Sequence, residues 1–231
     1  MAKKKVSRKE LLKKPDEFQT LSSRAVLFYK AHEKLFSYIG VGIVILICVY
    51  LGINTYMKYI NRKGQTAYNE AYYALPSNLN AEGGEVDLKK PTELFEKVKD
   101  KYGLSKASRL ALPELAHLKY REKKYDEAIS LYNEYLADVR ENSSYKDLTK
   151  LALAACYEEK GDLTKAAQLL KQLVDDPEFF FEEQAMLSLA RVYRLSDQPE
   201  KSREILEKFA EKYDSSPFLP QVKAQLKAFG S

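Results

Sequence analysis

The chain has 231 residues, 31% of them charged, with nine glycines, eight prolines and a mean hydropathy of −0.46. That length holds one or two domains, and so little Gly and Pro excludes a loop-dominated all-β fold. The net charge of +5 is unevenly placed: residues 1–34 hold ten Lys/Arg and four Asp/Glu, residues 64–231 hold 25 and 29. The body therefore lacks the basic stripe that a nucleic-acid partner requires. Two distant cysteines, Cys48 and Cys156, exclude a disulfide framework.

The arm, residues 1–34, opens with MAKKKVSRKELLKK, a polybasic run suited to anionic lipid headgroups at roughly 1 kcal/mol per basic group near the surface. Pro15, Asp16 and Glu17 resemble a helix start, with acids at the positive end of the dipole. Phe18, Leu21, Ala25, Phe28 and His32 recur at spacings of three and four. This predicts an amphipathic helix that lies on the lipid surface or docks on a partner.

Residues 35–57, from Leu35 to Met57, carry no charge, and twelve of them are Leu, Ile, Val or Phe. A helix of that length covers about 34 Å, enough for a hydrocarbon core of ~30 Å. Insertion gains about 4–7 kcal/mol from those twelve side chains alone. The alternatives are a buried core helix and a cleavable secretory signal. Charge on both flanks argues against the first, and the missing small-x-small cleavage site against the second. An uncleaved signal anchor is expected, with the N-terminus cytoplasmic and the remainder translocated, into the periplasm if the cell is Gram-negative. Gly40, Gly42 and Gly52 form neither a G-x-x-x-G face nor a dinucleotide fingerprint.

Residues 58–231 show a recurring helical pattern past Lys63, with a polar loop, PSNLNAEGGEVDLKKP, early in it. Leu115-Ala116, Leu153-Ala154 and Leu189-Ala190 are each followed, twelve residues after the Ala, by a small residue: Ala128, Ala166 and Ser202. Two helices crossing closely need small residues at the crossing and large ones around it. Tyr120, Tyr132, Tyr135, Tyr157, Leu170, Leu173, Tyr193, Leu206 and Phe209 supply the large ones. Gly161-Asp162 fills the turn of the middle unit, whereas Lys123 and Asp197 hold that place in its neighbours. Pro177 and Pro217 stop the second helices. Residues 65–75 and 92–102 form a less regular earlier pair. Phe218, Val222, Leu226 and Phe229 make a stripe for a capping helix over the last apolar face.

This pattern resembles the tetratricopeptide repeat (TPR) family, so the expected fold is all-α: one N-terminal transmembrane helix, then a TPR-like α-solenoid of helix pairs with a C-terminal cap. The resemblance implies a concave groove built from the first helices, and matched positions place His117, Tyr120, Arg121, Glu158, Glu159, Arg191 and Arg194 on or near it. Such a groove takes an extended segment or a partner helix.

Catalytic chemistry finds no support. His32 and His117 fall on opposite sides of the apolar run, and no metal-ligand spacing, Walker loop or nucleophile elbow occurs. The S-x-x-K match at Ser143 lacks its companion motifs, and Cys156 reads as a small buried hydrophobe. No enzyme activity, cofactor, metal, nucleic acid or small-molecule substrate is expected.

The order of basic arm, single span and translocated repeats is similar to the YfgM-like ancillary subunits of the Sec translocon. That resemblance implies a bacterial inner-membrane protein with a periplasmic repeat domain. It also implies association with the translocon, periplasmic folding factors and emerging polypeptides, as an adaptor or chaperone-like subunit. The alternative from a different class is a structural scaffold for envelope assembly or cell division.

Overall fold

The computed structural model describes residues 17–76, 87–138 and 144–229. The polybasic start, Pro15, Asp16 and Ser143 therefore lie outside the described residues. Within them the chain is helical, with no strand: α1 Glu17–Ala31, α2 Glu33–Tyr73, α3 Lys89–Lys101, α4 Lys106–Arg121, α5 Tyr125–Asp138, α6 Ser144–Glu159, α7 Leu163–Val174, α8 Glu182–Leu195, α9 Pro199–Lys212 and α10 Leu219–Ala228. They divide into two compact units, residues 1–58 and 59–231.

In the first unit the helical path breaks between α1 and α2 at His32. Its backbone N–H still reaches the Phe28 carbonyl at 3.1 Å, and its ring packs 4.5 Å from that of Phe28. Phe36 adds its ring 5.2 Å from Tyr29 and 6.0 Å from Phe28. Val26, Leu27, Phe28 and Tyr29 are all more than half exposed. Val26 lies nearly opposite Phe28 on the helix, so apolar surface extends beyond the single stripe the spacing predicted. The apolar stretch of α2 has a mean hydropathy of 2.4 over its most apolar window, and none of that window is buried. That overturns the buried-core alternative, because a core helix hides its apolar side chains and Ile43, Leu46 and Tyr50 here are 52%, 70% and 68% exposed. By length and composition α2 is sufficient to cross a membrane.

The second unit begins with the end of α2. Ala67 and Ala71 are buried there, and the Tyr68 ring meets Phe95 of α3 edge-on at 5.7 Å. The irregular pair expected over 65–75 and 92–102 thus exists, but its first helix is the end of α2. No proline interrupts 58–73, and the single Gly64 costs a helix only about 1 kcal/mol. Gly64 is also required: a Cβ there would fall on Ser105 Oγ, with Ser105 Cβ 2.8 Å away. Ser105 Oγ accepts the Ser108 N–H, and Asn61 Oδ1 accepts the Lys106 N–H at 2.9 Å. Two orphan donors of α4 are satisfied in this way.

The pairs α4/α5, α6/α7 and α8/α9 repeat one design. Ala116 and Ala128, Ala154 and Ala166, and Ala190 and Ser202 are all buried at their crossings. Ser202 keeps its hydroxyl by donating it to the Ala190 carbonyl at 2.8 Å, across the crossing itself. The three turns are also alike. Lys123, Gly161 and Asp197 all have positive φ, at 61°, 79° and 56°. The next N–H in each turn reaches back five residues at 2.9 Å, Lys124 to Lys119, Asp162 to Tyr157 and Gln198 to Tyr193. Each is a Schellman closure, so the turns expected to differ share one geometry although only one carries glycine.

Large residues fill the spaces between pairs. Tyr132, Tyr135, Leu170, Leu173, Leu206 and Phe209 are buried, and Tyr120, Tyr157 and Tyr193 are partly so. Apolar clusters run from the end of α2 to α6, from α6 to α8 and from α8 to α10. Helix α10 caps the last one with Val222, fully buried, and with Leu226 and Phe229. Phe218, expected in that seam, is instead 41% exposed. It precedes α10 and lies outside that cluster.

Candidate protein-interaction groove

The first helices of the repeats present one stripe. On α6 it is Leu148, Leu151, Ala152, Ala155 and Glu158, spaced three and four apart as one helical face requires. On α8 it is Gln184, Leu187, Ser188, Arg191 and Arg194, each 36 residues after its counterpart. Phe218, Gln221 and Gln225 close the far side. Together they line a groove of about 520 Å³ with an apolar floor and a polar rim.

Glu158 and Arg191 join its walls. The Arg191 Nε and Nη2 donate to the two Glu158 carboxylate oxygens at 2.6 and 3.0 Å. This two-point bond, more than burial, sets the direction of the Arg191 pKa, which is raised. Arg194, one turn further along and exposed, makes no ion pair among the described residues.

On α4, 38 residues before the α6 positions, the same stripe is Leu110, Pro113, Glu114, His117 and Tyr120. His117 stacks on Tyr120 at 6.5 Å, and burial together with Arg121 holds its pKa below the ordinary value. Burial raises that of Glu114.

Of the seven residues read from sequence, Glu158, Arg191 and Arg194 line the groove, and His117 and Tyr120 occupy its stripe on α4. Arg121 and Glu159 sit one position off the stripe, and Glu159 accepts the Tyr125 hydroxyl at 3.2 Å. Sequence reasoning missed the apolar floor of Leu148, Leu151, Leu187 and Phe218. Helical steps of three and four taken back from Glu158 and Arg191 reach the first three.

Away from the groove, Lys119 is buried and donates to Glu96 at 2.8 Å and contacts Glu127 at 3.1 Å, tying α3, α4 and α5 together. Burial alone would lower its pKa, but the two carboxylates outweigh it and the net direction is up. Cys156 is fully buried, and burial pushes its thiol up to about 12, so it is a packing group without nucleophilic character.

Comparison with known proteins agrees with this geometry. The tetratricopeptide repeat model matches residues 150–178 and 184–216. Those two segments are similar to tetratricopeptide repeats. The matched spans cover α7 and α9, most of α6 and α8, and the charged end of the groove. Among solved structures, the nearly identical TPR-like repeats of a Podosopora anserina protein assigned as a kinesin light chain are similar. The TM-score is 0.58 at 18% identity, over 74% of this chain and 86% of that one. A point-substituted form of those repeats gives the same score and identity over 85% of its length. At that identity the likeness establishes the fold, a TPR-like α-solenoid. Comparison with curated proteins gives no match. Tetratricopeptide repeats build protein-interaction scaffolds, in general without catalysis of their own.

Proposed function

We propose that the protein is a membrane-anchored adaptor whose groove holds segments of other proteins, acting as a chaperone-like ancillary subunit at the Sec translocon. The observation that carries the adaptor reading is the groove itself: one repeat-related stripe on the first helices of two successive pairs, lined by apolar and charged side chains, with no covering element among the described residues. The anchor reading rests on the exposed apolar stretch of α2. The excess of Lys/Arg before that stretch supports a cytoplasmic N-terminus and a periplasmic repeat unit in a bacterial inner membrane. It also supports contact of the basic arm with anionic headgroups. The translocon assignment rests on the order of arm, span and repeats, and His117, Tyr120, Arg121 and Glu159 are proposed to extend the binding face.

Affinity purification of the full chain in mild detergent tests this reading. Translocon subunits or periplasmic folding factors should co-purify with the wild type and be lost from Leu187→Asp. Recovery of neither would refute the translocon assignment, and a fixed set of envelope-assembly proteins would favour a scaffold. Protease protection on spheroplasts, with a tag at each end, checks the orientation.

A further inference from the structure

The groove has a direction. Along α8 its lining runs from Gln184 past Leu187 and Ser188 to Arg191 and Arg194, and Phe218, Gln221 and Gln225 line it from the segment around α10. The charges at the arginine end are not equivalent. Glu158 is matched by Arg191 through two hydrogen bonds, so their charges largely offset each other. Arg194 is left as a single exposed cation on the wall, with no ion pair among the described residues. Glu158, Arg191 and Arg194 sum to one positive charge, and the remaining polar lining is neutral. A ligand that buries apolar side chains on the floor is therefore completed best by one carboxylate at the Arg194 end. A second cation there would face Arg194 with nothing to offset it.

Resting on the adaptor reading, we infer that the groove takes a polypeptide segment in one orientation, its apolar side chains on Leu151, Leu187 and Phe218 and a single acidic side chain on Arg194. The floor supplies most of the affinity and Arg194 supplies the selection, because an exposed charge changes which partner is accepted more than how tightly it is held. The Glu158–Arg191 pair is a positioning element. It braces α6 against α8 and thereby fixes the width of the floor.

The test pans a phage-displayed random peptide library against the full chain in nanodiscs of neutral lipid, as wild type, Arg194→Glu, Arg194→Gln and Leu187→Asp. Arg194 is exposed, so its variants retain the fold, and circular dichroism verifies this for all four. Wild type should enrich peptides with two or more large apolar residues and an acid on one side of them. Arg194→Glu should enrich a base in that place, and Arg194→Gln should show no charge preference. A synthetic peptide from the wild-type selection should bind Arg194→Glu about tenfold more weakly. Enrichment without charge preference, or with a preference that Arg194→Glu leaves unchanged, overturns the inference. If Leu187→Asp still abolishes that enrichment, the adaptor reading survives. Enrichment insensitive to every variant, or none at all, overturns both.

Discussion

In α8/α9 the helices cross at Ala190 and Ser202 over a three-residue connection closed by a Schellman turn. In the pair made by the end of α2 and α3, Ala67 and Ala71 are buried in the same cluster as Phe95, and the connection runs from residue 74 to 88. Only the first of these lies within the tetratricopeptide match. Both bury small residues together with an aromatic, Phe95 in the first pair and Phe209 in the last, so the packing requirement outlasts the sequence signature. The signature belongs to the turn and its spacing, and the first pair has given up the turn. In compensation it holds α4 through Asn61 and Gly64, contacts no later pair makes.

The sharpest way to break this comparison is to hollow both pairs. Phe95→Ala and Phe209→Ala each remove a fully buried ring and should each cost about 3–5 kcal/mol. Urea unfolding in detergent, followed by circular dichroism, measures both. A midpoint unmoved by Phe95→Ala alone would make the first pair an appendage. Next in size is Gly64→Ala, which forces Ser105 to move and strips the cap from α4, at about 1–3 kcal/mol. The same unfolding curve reports it.

The turns should give smaller effects of opposite sign. Gly161→Ala should lose about 1 kcal/mol through its φ alone, since an added Cβ meets nothing within 4 Å. Lys123→Gly and Asp197→Gly should each gain up to about 1 kcal/mol, because they release a side chain from the left-handed region. Thermal melts of the three variants decide whether the shared geometry is strained where glycine is absent.

The smallest expected effect is pH-dependent. His117 has a folded pKa below 6.5, so the unfolded chain takes up its proton more readily. Its contribution to stability is complete above pH 6.5 and is lost as the pH falls toward the folded value. His117→Gln should flatten the difference in melting temperature between pH 7.5 and pH 5.5 relative to wild type. Glu114, whose pKa is raised, works in the opposite direction and is common to both proteins. An unchanged slope would remove His117 as a source of acid sensitivity.

Much of this was legible in the sequence for physical reasons. Ala116/Ala128 and Ala154/Ala166 could be read because a close crossing tolerates nothing larger, and the apolar run because 23 residues without a charge stand out in a chain that is 31% charged. The continuity of α2 could not be read, since residues 58–73 contain no signal either to stop a helix or to insist on one. The left-handed turns at Lys123 and Asp197 were hidden because backbone hydrogen bonds impose them against residue preference. Phe218 was misplaced because a helical stripe does not say which side of a cap's first residue faces the core. The groove floor escaped because leucines on a repeat helix look like core until the neighbouring helix leaves them open.

Cys156 has a consequence for handling the protein. Its thiol lies at the heart of the α6 pair, fully buried and protonated at neutral pH, and the other cysteine, Cys48, sits on the exposed apolar stretch of α2. With Cys48 replaced by serine, an alkylating reagent can reach sulfur only when the repeats come apart. The Cys48→Ser chain thus carries an internal clock for the opening of its solenoid, read as the mass the reagent adds at Cys156.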